Sequence, residues 1–492
     1  MKKKLALIVI CLLCVVTLLT GCNSIKLDGV PAVTDTVYGN GGHVVRQGNY
    51  IYFTKDYVDG TTLTKDDNKE GKVTQTALYR TKLNEGKVSK DDKGFVKDYE
   101  LVVPKVVGHK NCGIFIFDSY LYYSTPNMDY TTEGTLQSTL GYLDICRVKL
   151  DGSENERLYS TENYNATTAF YRIMKIGTKV YIVLFDGSDI VKVEVDGKKV
   201  TKTTLVSGVS EVKMKNFENY VYAENNTMNQ FEKCVYYTRA LTEDDGYLST
   251  EGKGNKIGRV DIVNGTKVEL NNSEYATYSL LDVKDGYVFY KKNELVFANN
   301  FERATDSEIQ ITKTSDYSVV SVLDTVKEGD EFTIQGVVVT FEGKTFIVKG
   351  YDEKGDLVSK KISDAEVTPK LVYGSYIYYL EDTSLVRMDI SSEEFETEVV
   401  LDDADYDSSY IVGECDKDNL YVFMTYTGDS ESAKYLARVD FTNKIQPDEE
   451  DPEKDSDGEI VTDLGYEIED ICKIDEKHVK TEDEARDEAL GN

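Results

Sequence analysis

The chain has no tryptophan, six prolines and three histidines in 492 residues, and each shortage closes off a reading. Without Trp there is no Ser-x-Asp-x-Gly-x-Thr-Trp box of the sialidase kind, and no Gly-x-Ser-x-Gly elbow with a downstream His supplies an acyl-transfer nucleophile. His43, His109 and His478 are the only imidazoles. None stands at ligand spacing from a cysteine, so a His/Cys zinc site is not expected. Of the eight cysteines, the five beyond residue 22 form no CxxC pair. Cys112, Cys146, Cys234, Cys415 and Cys472 lie scattered beyond residue 22, an odd and unspaced set that reads as small buried residues and not as a disulfide framework. Positive charge is short too: 57 Lys and Arg against 88 Asp and Glu leave a net charge of −31. Such a surface repels phosphate backbones, so nucleic acid is not an expected partner. The long helical patterns that a bilobal solute-binding protein needs for its βαβ units are missing as well.

What is present starts at the N-terminus. Lys2, Lys3 and Lys4 precede an uncharged apolar stretch from Leu5 to Leu19. That stretch is shorter than the roughly 20 residues needed to span a bilayer and has the length of a secretory h-region. No second apolar run of spanning length follows. The stretch closes on Leu19-Thr20-Gly21-Cys22, and this Leu-small-Gly-Cys box resembles the lipobox of bacterial lipoproteins. The resemblance implies a signal peptide over residues 1–21, cleavage before Cys22, and diacylglycerol with palmitate-type chains on the Cys22 thiol. The mature lipoprotein is then held at the extracytoplasmic face of the cell membrane. Two or more acyl chains give stable attachment, at ~0.8 kcal/mol per buried CH2. Residues 22–37 read as a linker between this anchor and the folded chain.

The rest of the sequence has strand-and-turn grammar. Tyr is abundant, at 36 residues, and aromatic and β-branched residues come in short runs. Asp-Gly pairs break those runs at Asp151-Gly152, Asp186-Gly187, Asp196-Gly197, Asp245-Gly246 and Asp285-Gly286. The runs also repeat. One unit is an aromatic strand: Tyr50–Phe53, Tyr120–Tyr123, Tyr220–Tyr222, Tyr287–Tyr290, Tyr376–Tyr379 and Leu420–Phe423. The second reads apolar-x-Arg: Leu78-Tyr79-Arg80, Ile145-Cys146-Arg147, Ile257-Gly258-Arg259, Leu385-Val386-Arg387 and Leu436-Ala437-Arg438. Weaker copies are Ile190-Val191-Lys192, Leu295-Val296-Phe297 and Ile347-Val348-Lys349. The mean spacing of the eight copies is about 51 residues, close to the length of a four-stranded propeller blade. Polar insertions at Lys55–Thr76, Asn127–Gly141 and Thr238–Lys256 account for the longer spacings.

The segments GNYIYF…LYRTKLNEG, DSYLYYS…ICRVKLDGS and GSYIYYLEDTSLVRMDI resemble the low-density-lipoprotein-receptor-related-protein-like β-propeller family found in bacterial surface lipoproteins. The likeness runs over about residues 45–445 and is poorest at 270–370. It implies an all-β fold, a β-propeller of about eight four-stranded blades, with seven as the alternative, over residues 38–446. No catalytic residues come with it. Animal proteins bearing related propellers bind protein ligands, an analogy at the level of fold. The functional expectation is a binding or scaffolding module at the cell surface, meeting a protein or glycan. The alternatives are a hydrolase or lyase acting on envelope glycans and a calcium-responsive adhesion factor. A catalytic role is less expected than a binding one.

Three side-chain sets complete the reading. The recurring Arg could form an anion-binding ring, but each follows an apolar residue at one strand position. The expected arrangement has its stem between blades and its guanidinium on a neighbouring carboxylate. The many Tyr are expected in the core and between blades, not as a carbohydrate platform. Residues 447–492 carry 19 Asp and Glu against 5 Lys and Arg and read as an acidic, largely disordered tail whose removal is tolerated. Ile460-Val461-Thr462 is the exception, a candidate outer strand. Within the tail, Glu453–Ile460 resembles the start of an EF-hand-type loop, with Asp455, Asp457 and Glu459 as candidate Ca2+ ligands. The loop departs from that pattern at its first position, Glu453, and at its twelfth, Leu464.

Overall fold

The computed structural model describes residues 26–54, 77–90, 99–105, 107, 113–127, 142–163, 171–214, 233–245, 254–269, 396–402, 432–447 and 463–473, together with the remaining strands of 276–427 and the pair Lys72–Val73 and Lys480–Thr481. The described residues are all-β. Their one helical element is the 3-10 turn Glu243–Asp245.

The strands fall into sheets of neighbouring sequence, one after another. The first sheet takes Val37–Tyr38, Val44–Gln47, Tyr50–Thr54, Leu78–Lys82 and Tyr99–Val103. The second takes Phe115–Phe117, Tyr120–Pro126, Leu143–Lys149 and Glu156–Ser160. The third takes Tyr171–Ile176, Lys179–Asp186, Asp189–Asp196 and Lys199–Val206. The fourth takes Val209–Lys213, Cys234–Ala240, Asn255–Asp261 and Lys267–Glu269. The fifth lies between Ala276 and Leu323 and the sixth between Glu331 and Lys361. The seventh takes Pro369–Tyr373, Tyr376–Glu381, Ser384–Asp389 and Thr397–Leu401. The eighth takes Ile411–Cys415, Asn419–Thr427, Ser432–Lys444 and Tyr466–Lys473. Seven of these sheets, all but the sixth, are antiparallel meanders. In the sixth, Glu331–Ile334 pairs parallel with Thr345–Tyr351, within the stretch where the sequence likeness is poorest.

Both faces of these sheets are covered, which explains why the aromatic runs do not alternate. Ile51, Tyr52 and Phe53 are successive residues of one strand, and all three are fully buried. Successive sheets share apolar clusters. One joins the first three sheets and also takes in Tyr421, Leu436, Ile471 and Cys472 of the eighth. Others join the third to the fourth, the fourth to the fifth, and the seventh to the eighth. Between the first two sheets the backbones themselves touch. Gly41 N–H donates to the Ile114 carbonyl and Ile114 N–H to the Gly42 carbonyl. A Cβ on Gly113 would stand 2.0 Å from the Gly41 carbonyl oxygen, so only glycine fits there. The Asp-Gly turns at 152, 187 and 197 have the expected positive φ, at 80°, 70° and 61°.

Several expectations are corrected. The acidic segment is not structureless throughout: Tyr466–Lys473 is the fourth strand of the eighth sheet, pairing with Ser432–Lys444, and Ile471 and Cys472 are fully buried. A run of Ile468, Ile471 and Cys472 between acids is enough, because the neighbouring sheets supply the apolar surface. The expected outer strand Ile460–Thr462 lies outside the described residues. The linker ends early as well. Leu27 is buried, in the cluster of the first sheets, and its N–H donates to the Asp151 carbonyl at 2.7 Å. In the fourth sheet the strand beside Asn255–Asp261 is Cys234–Ala240, while Tyr220–Tyr222 lies outside the described residues. Thr238 and Lys256, assigned to an insertion, are strand residues. Leu295-Val296-Phe297 falls on Tyr287–Ala298, the same strand as the aromatic unit before it.

Cys146, Cys234 and Cys472 are buried thiols. Burial pushes the Cys146 thiol up to about 12 and the Cys234 thiol up to about 11. A thiol reagent at pH 8 should therefore spare these three in the native protein and reach at most Cys112 and Cys415. Denaturation should release about five equivalents. Fast native modification of more than two would refute this packing.

Candidate functional site

The repeated apolar-x-Arg unit builds the most regular arrangement of polar groups in the chain. In the first sheet Arg80 stands in register between Tyr52 on one side and Glu100 on the other. The same rung recurs as Tyr122, Arg147 and Glu156, as Tyr378, Arg387 and Glu398, and as Tyr421, Arg438 and Glu469. The ion pairs are Arg80–Glu100 at 2.8 Å, Arg147–Glu156 at 2.5 Å, Arg387–Glu398 at 2.5 Å and Arg438–Glu469. A second tyrosine, two residues before the first, lies under the cation in three sheets: Tyr50 under Arg80, Tyr120 under Arg147 and Tyr376 under Arg387. The Tyr-x-Tyr spacing thus follows from strand period two, which puts both rings on the face the guanidinium crosses.

Four of the cations also reach the next sheet, at the turn that follows its own cation-bearing strand. Arg80 donates to the Leu150 carbonyl at 3.1 Å, Arg147 to the Gly197 carbonyl at 2.9 Å, and Lys192 to the Val263 carbonyl at 3.2 Å. Arg387 of the seventh sheet lies 4.1 Å from the Phe441 ring centroid in the eighth. Arg438 of the eighth donates to the Gly86 carbonyl of the first, and the Val88 N–H of the first donates to Glu469 at 3.0 Å. These buried cations are therefore fasteners between sheets. Their charge is already met by carboxylate, carbonyl and ring, as the pattern of one strand position predicts. The partner the sequence did not name is the glutamate. Its signal was there, one Glu per unit on the following strand, hidden by the abundance of acids.

Burial also raises the phenol pKa of two rung tyrosines. The Tyr122 phenol is pushed up to about 12, with Arg147 acting against the shift, and Tyr52 is pushed further up for the same reason.

Two further clusters escaped the sequence reading. Asp186, buried at the end of Lys179–Asp186, accepts from Tyr159 Oη at 2.7 Å and from the Glu162 and Asn163 N–H groups. It fixes the chain entering the third sheet. In the fourth sheet Arg239 pairs with Asp245 at 2.8 Å and with Glu269 at 2.7 Å, and Lys256 pairs with Asp245 at 2.6 Å. Two cations and two carboxylates balance. The Arg239 hydrogen bond holds the Asp245 carboxyl well below the usual carboxylate range. Burial works against the same shift at Glu269, where Arg239 prevails. A carboxylate with a depressed folded-state value stabilises fully above its unfolded value near 4 and loses that contribution as pH falls toward the folded value. Stability should thus decline below about pH 4 to 5. Asp245→Asn should lose roughly 1.5–3 kcal/mol at pH 7 and flatten the acid limb of a urea-midpoint profile. An unchanged profile would remove the cluster from the acid response.

Cys22 and the candidate calcium ligands Asp455, Asp457 and Glu459 lie outside the described residues. The described residues bring together no cluster of three or more His, Cys, Asp or Glu of metal-holding geometry.

No protein-family model matches the chain, and no curated protein matches it. Solved structures resemble it at low similarity. The polysaccharide lyase Uly1 is 12% identical with a TM-score of 0.37, over 86% of this chain and 93% of the lyase. A prolyl endopeptidase is 12% identical with a TM-score of 0.34, over 84% of this chain and 48% of the peptidase, so the chain spans about half that enzyme's length. A structure of the nidogen/laminin complex is 8% identical with a TM-score of 0.26, over 59% of this chain and 92% of that one. At these scores none of the likenesses assigns a family or an activity.

Proposed function

We propose that this protein is a lipid-anchored β-propeller of eight blades on the extracytoplasmic face of the cell membrane, acting as a binding or scaffolding module. The observation that carries the reading is the contact between its ends. Arg438 meets Gly86, and Val88 meets Glu469, just as Arg80, Arg147 and Lys192 meet the sheets after theirs. Radial closure leaves only short, protected strand edges. It also leaves the connections between strands as the variable surface where a partner is met. The lipobox-like Leu19–Cys22 supports the location, and Glu453–Ile460 is the candidate for a Ca2+ requirement in partner binding.

Three measurements test this. Particle images of the detergent-solubilised protein viewed down the axis should show a closed ring, and an open arc would overturn the fold reading. Cys22→Ala should abolish fatty-acid incorporation and leave uncleaved precursor, whereas unchanged processing would overturn the anchor. Incubation with cell-envelope polysaccharide should give retention without chain cleavage, with and without millimolar Ca2+. Release of shortened glycan would transfer the reading to the lyase or hydrolase class.

A further inference from the structure

Resting on the lipid-anchor reading, we infer that the protein is held in one orientation, with the end of its sheets that carries the third-to-fourth-strand turns facing the bilayer. Arg80 is the largest fully buried side chain among the described residues. Its guanidinium makes four hydrogen bonds. One goes to Glu100 of its own rung and one to the Leu150 carbonyl of the second sheet. The other two hold the chain just downstream of Cys22: the Gly29 carbonyl at 2.7 Å and the Asp28 carbonyl at 2.9 Å. Leu27 fills the apolar cluster beside them, and its N–H is bonded to Asp151. The segment that would serve as a flexible spacer is therefore bolted into the junction of the first and second sheets.

What remains between the lipidated residue and the bolt is short. Cys22 and Lys26 are four residues apart in sequence, and four extended steps span at most about 15 Å. A folded domain on a long linker tumbles freely above a membrane. One on a tether shorter than its own sheets are wide does not. The bolt also decides which end is near. Asp151 lies in the turn between Leu143–Lys149 and Glu156–Ser160, so the tether leaves from the end where third strands finish and fourth strands begin. Thr54, Pro126 and Ala240, which end the strands preceding Arg80, Arg147 and Arg259 in the first, second and fourth sheets, lie at the opposite end.

The third sheet provides two reporters. Ser188 and Lys198 are exposed and flank the strand Asp189–Asp196, so they sit at opposite ends of it, ~25 Å apart. A fluorophore is placed on Ser188→Cys or on Lys198→Cys, with Cys112 and Cys415 changed to Ser, in the lipidated protein reconstituted in vesicles carrying nitroxide headgroups. Lys198→Cys should be quenched several-fold more than Ser188→Cys. Insertion of twenty Gly/Ser residues after Ser24, or Leu27→Ser, should erase the difference. Equal quenching at the two positions without the insertion, or stronger quenching at Ser188→Cys, would overturn the orientation while leaving the anchor intact. Protein that fails to float with the vesicles would overturn the anchor and the orientation together.

Discussion

Truncation after Lys444 is expected to abolish cooperative folding, although the residues removed are the most acidic in the chain. The cut deletes the strand Tyr466–Lys473, whose Tyr466, Ile471 and Cys472 are buried. Burial of large apolar side chains is worth ~1.5–3 kcal/mol each, against a total stability of about 5–15 kcal/mol for a typical fold. The cut also strips the outer edge from Ser432–Lys444, takes the carboxylate from the buried Arg438, and removes the partner of the Val88 N–H. It therefore damages both the eighth sheet and its contact with the first. Truncation after Lys473 keeps all of these and should shift stability by no more than about 1 kcal/mol, as for sparse, charged segments. The two truncations, compared by thermal unfolding, form one experiment. A cooperative transition within a few degrees of the parent after the Lys444 cut would show that the eighth sheet stands without its fourth strand.

Arg80→Met should be the most damaging single substitution of the rung series, costing ~3–5 kcal/mol because it removes one partner of a buried charge-bearing network. Glu100 is partly exposed and can turn to water, so its own loss contributes little. The cost comes from the Leu150, Asp28 and Gly29 carbonyls, which lose their donor. Arg80→Lys keeps the charge but cannot serve four acceptors from one planar fork, so it should recover less than half of the loss. Glu100→Gln should cost under about 1 kcal/mol, in line with exposed ion pairs. Denaturant midpoints for the three variants give the order directly. Equal effects of Arg80→Met and Glu100→Gln would mean that the ion pair, and not the carbonyl contacts, is what Arg80 contributes.

The strand content was legible because side-chain period and turn chemistry act locally. Tyr50–Phe53 and Asp151-Gly152 need no distant information to be read as strand and turn. The recurring Arg was legible as a packing residue for the same reason. What was hidden depends on other sheets. Tyr466–Lys473 reads as acidic tail because its two isoleucines and one cysteine look too few to bury, and only a neighbour's open edge makes them sufficient. Leu27 reads as linker because part of what holds it, the Asp151 carbonyl, is more than a hundred positions away. The fourth sheet misled by composition: Tyr220-Val221-Tyr222 and Val235-Tyr236-Tyr237 have equally strand-like sequences, and the second is the one paired with Asn255–Asp261. The calcium-like carboxylates gain no support, since alternating acids are common in a chain of this charge.

The bolt formed by Leu27 and Arg80 has a mechanical consequence. On the proposed lipid anchor, force applied at Cys22 would reach Leu27, Asp28 and Gly29 before any strand. There it is shared between two sheets at once, through the Asp151 and Leu150 contacts. Val37–Tyr38, a two-residue strand at the margin of the first sheet, would otherwise be the first to peel. Pulled from that end, the ten residues from Leu27 to Val37, ~35 Å of extended chain, would come free before the first strand is reached.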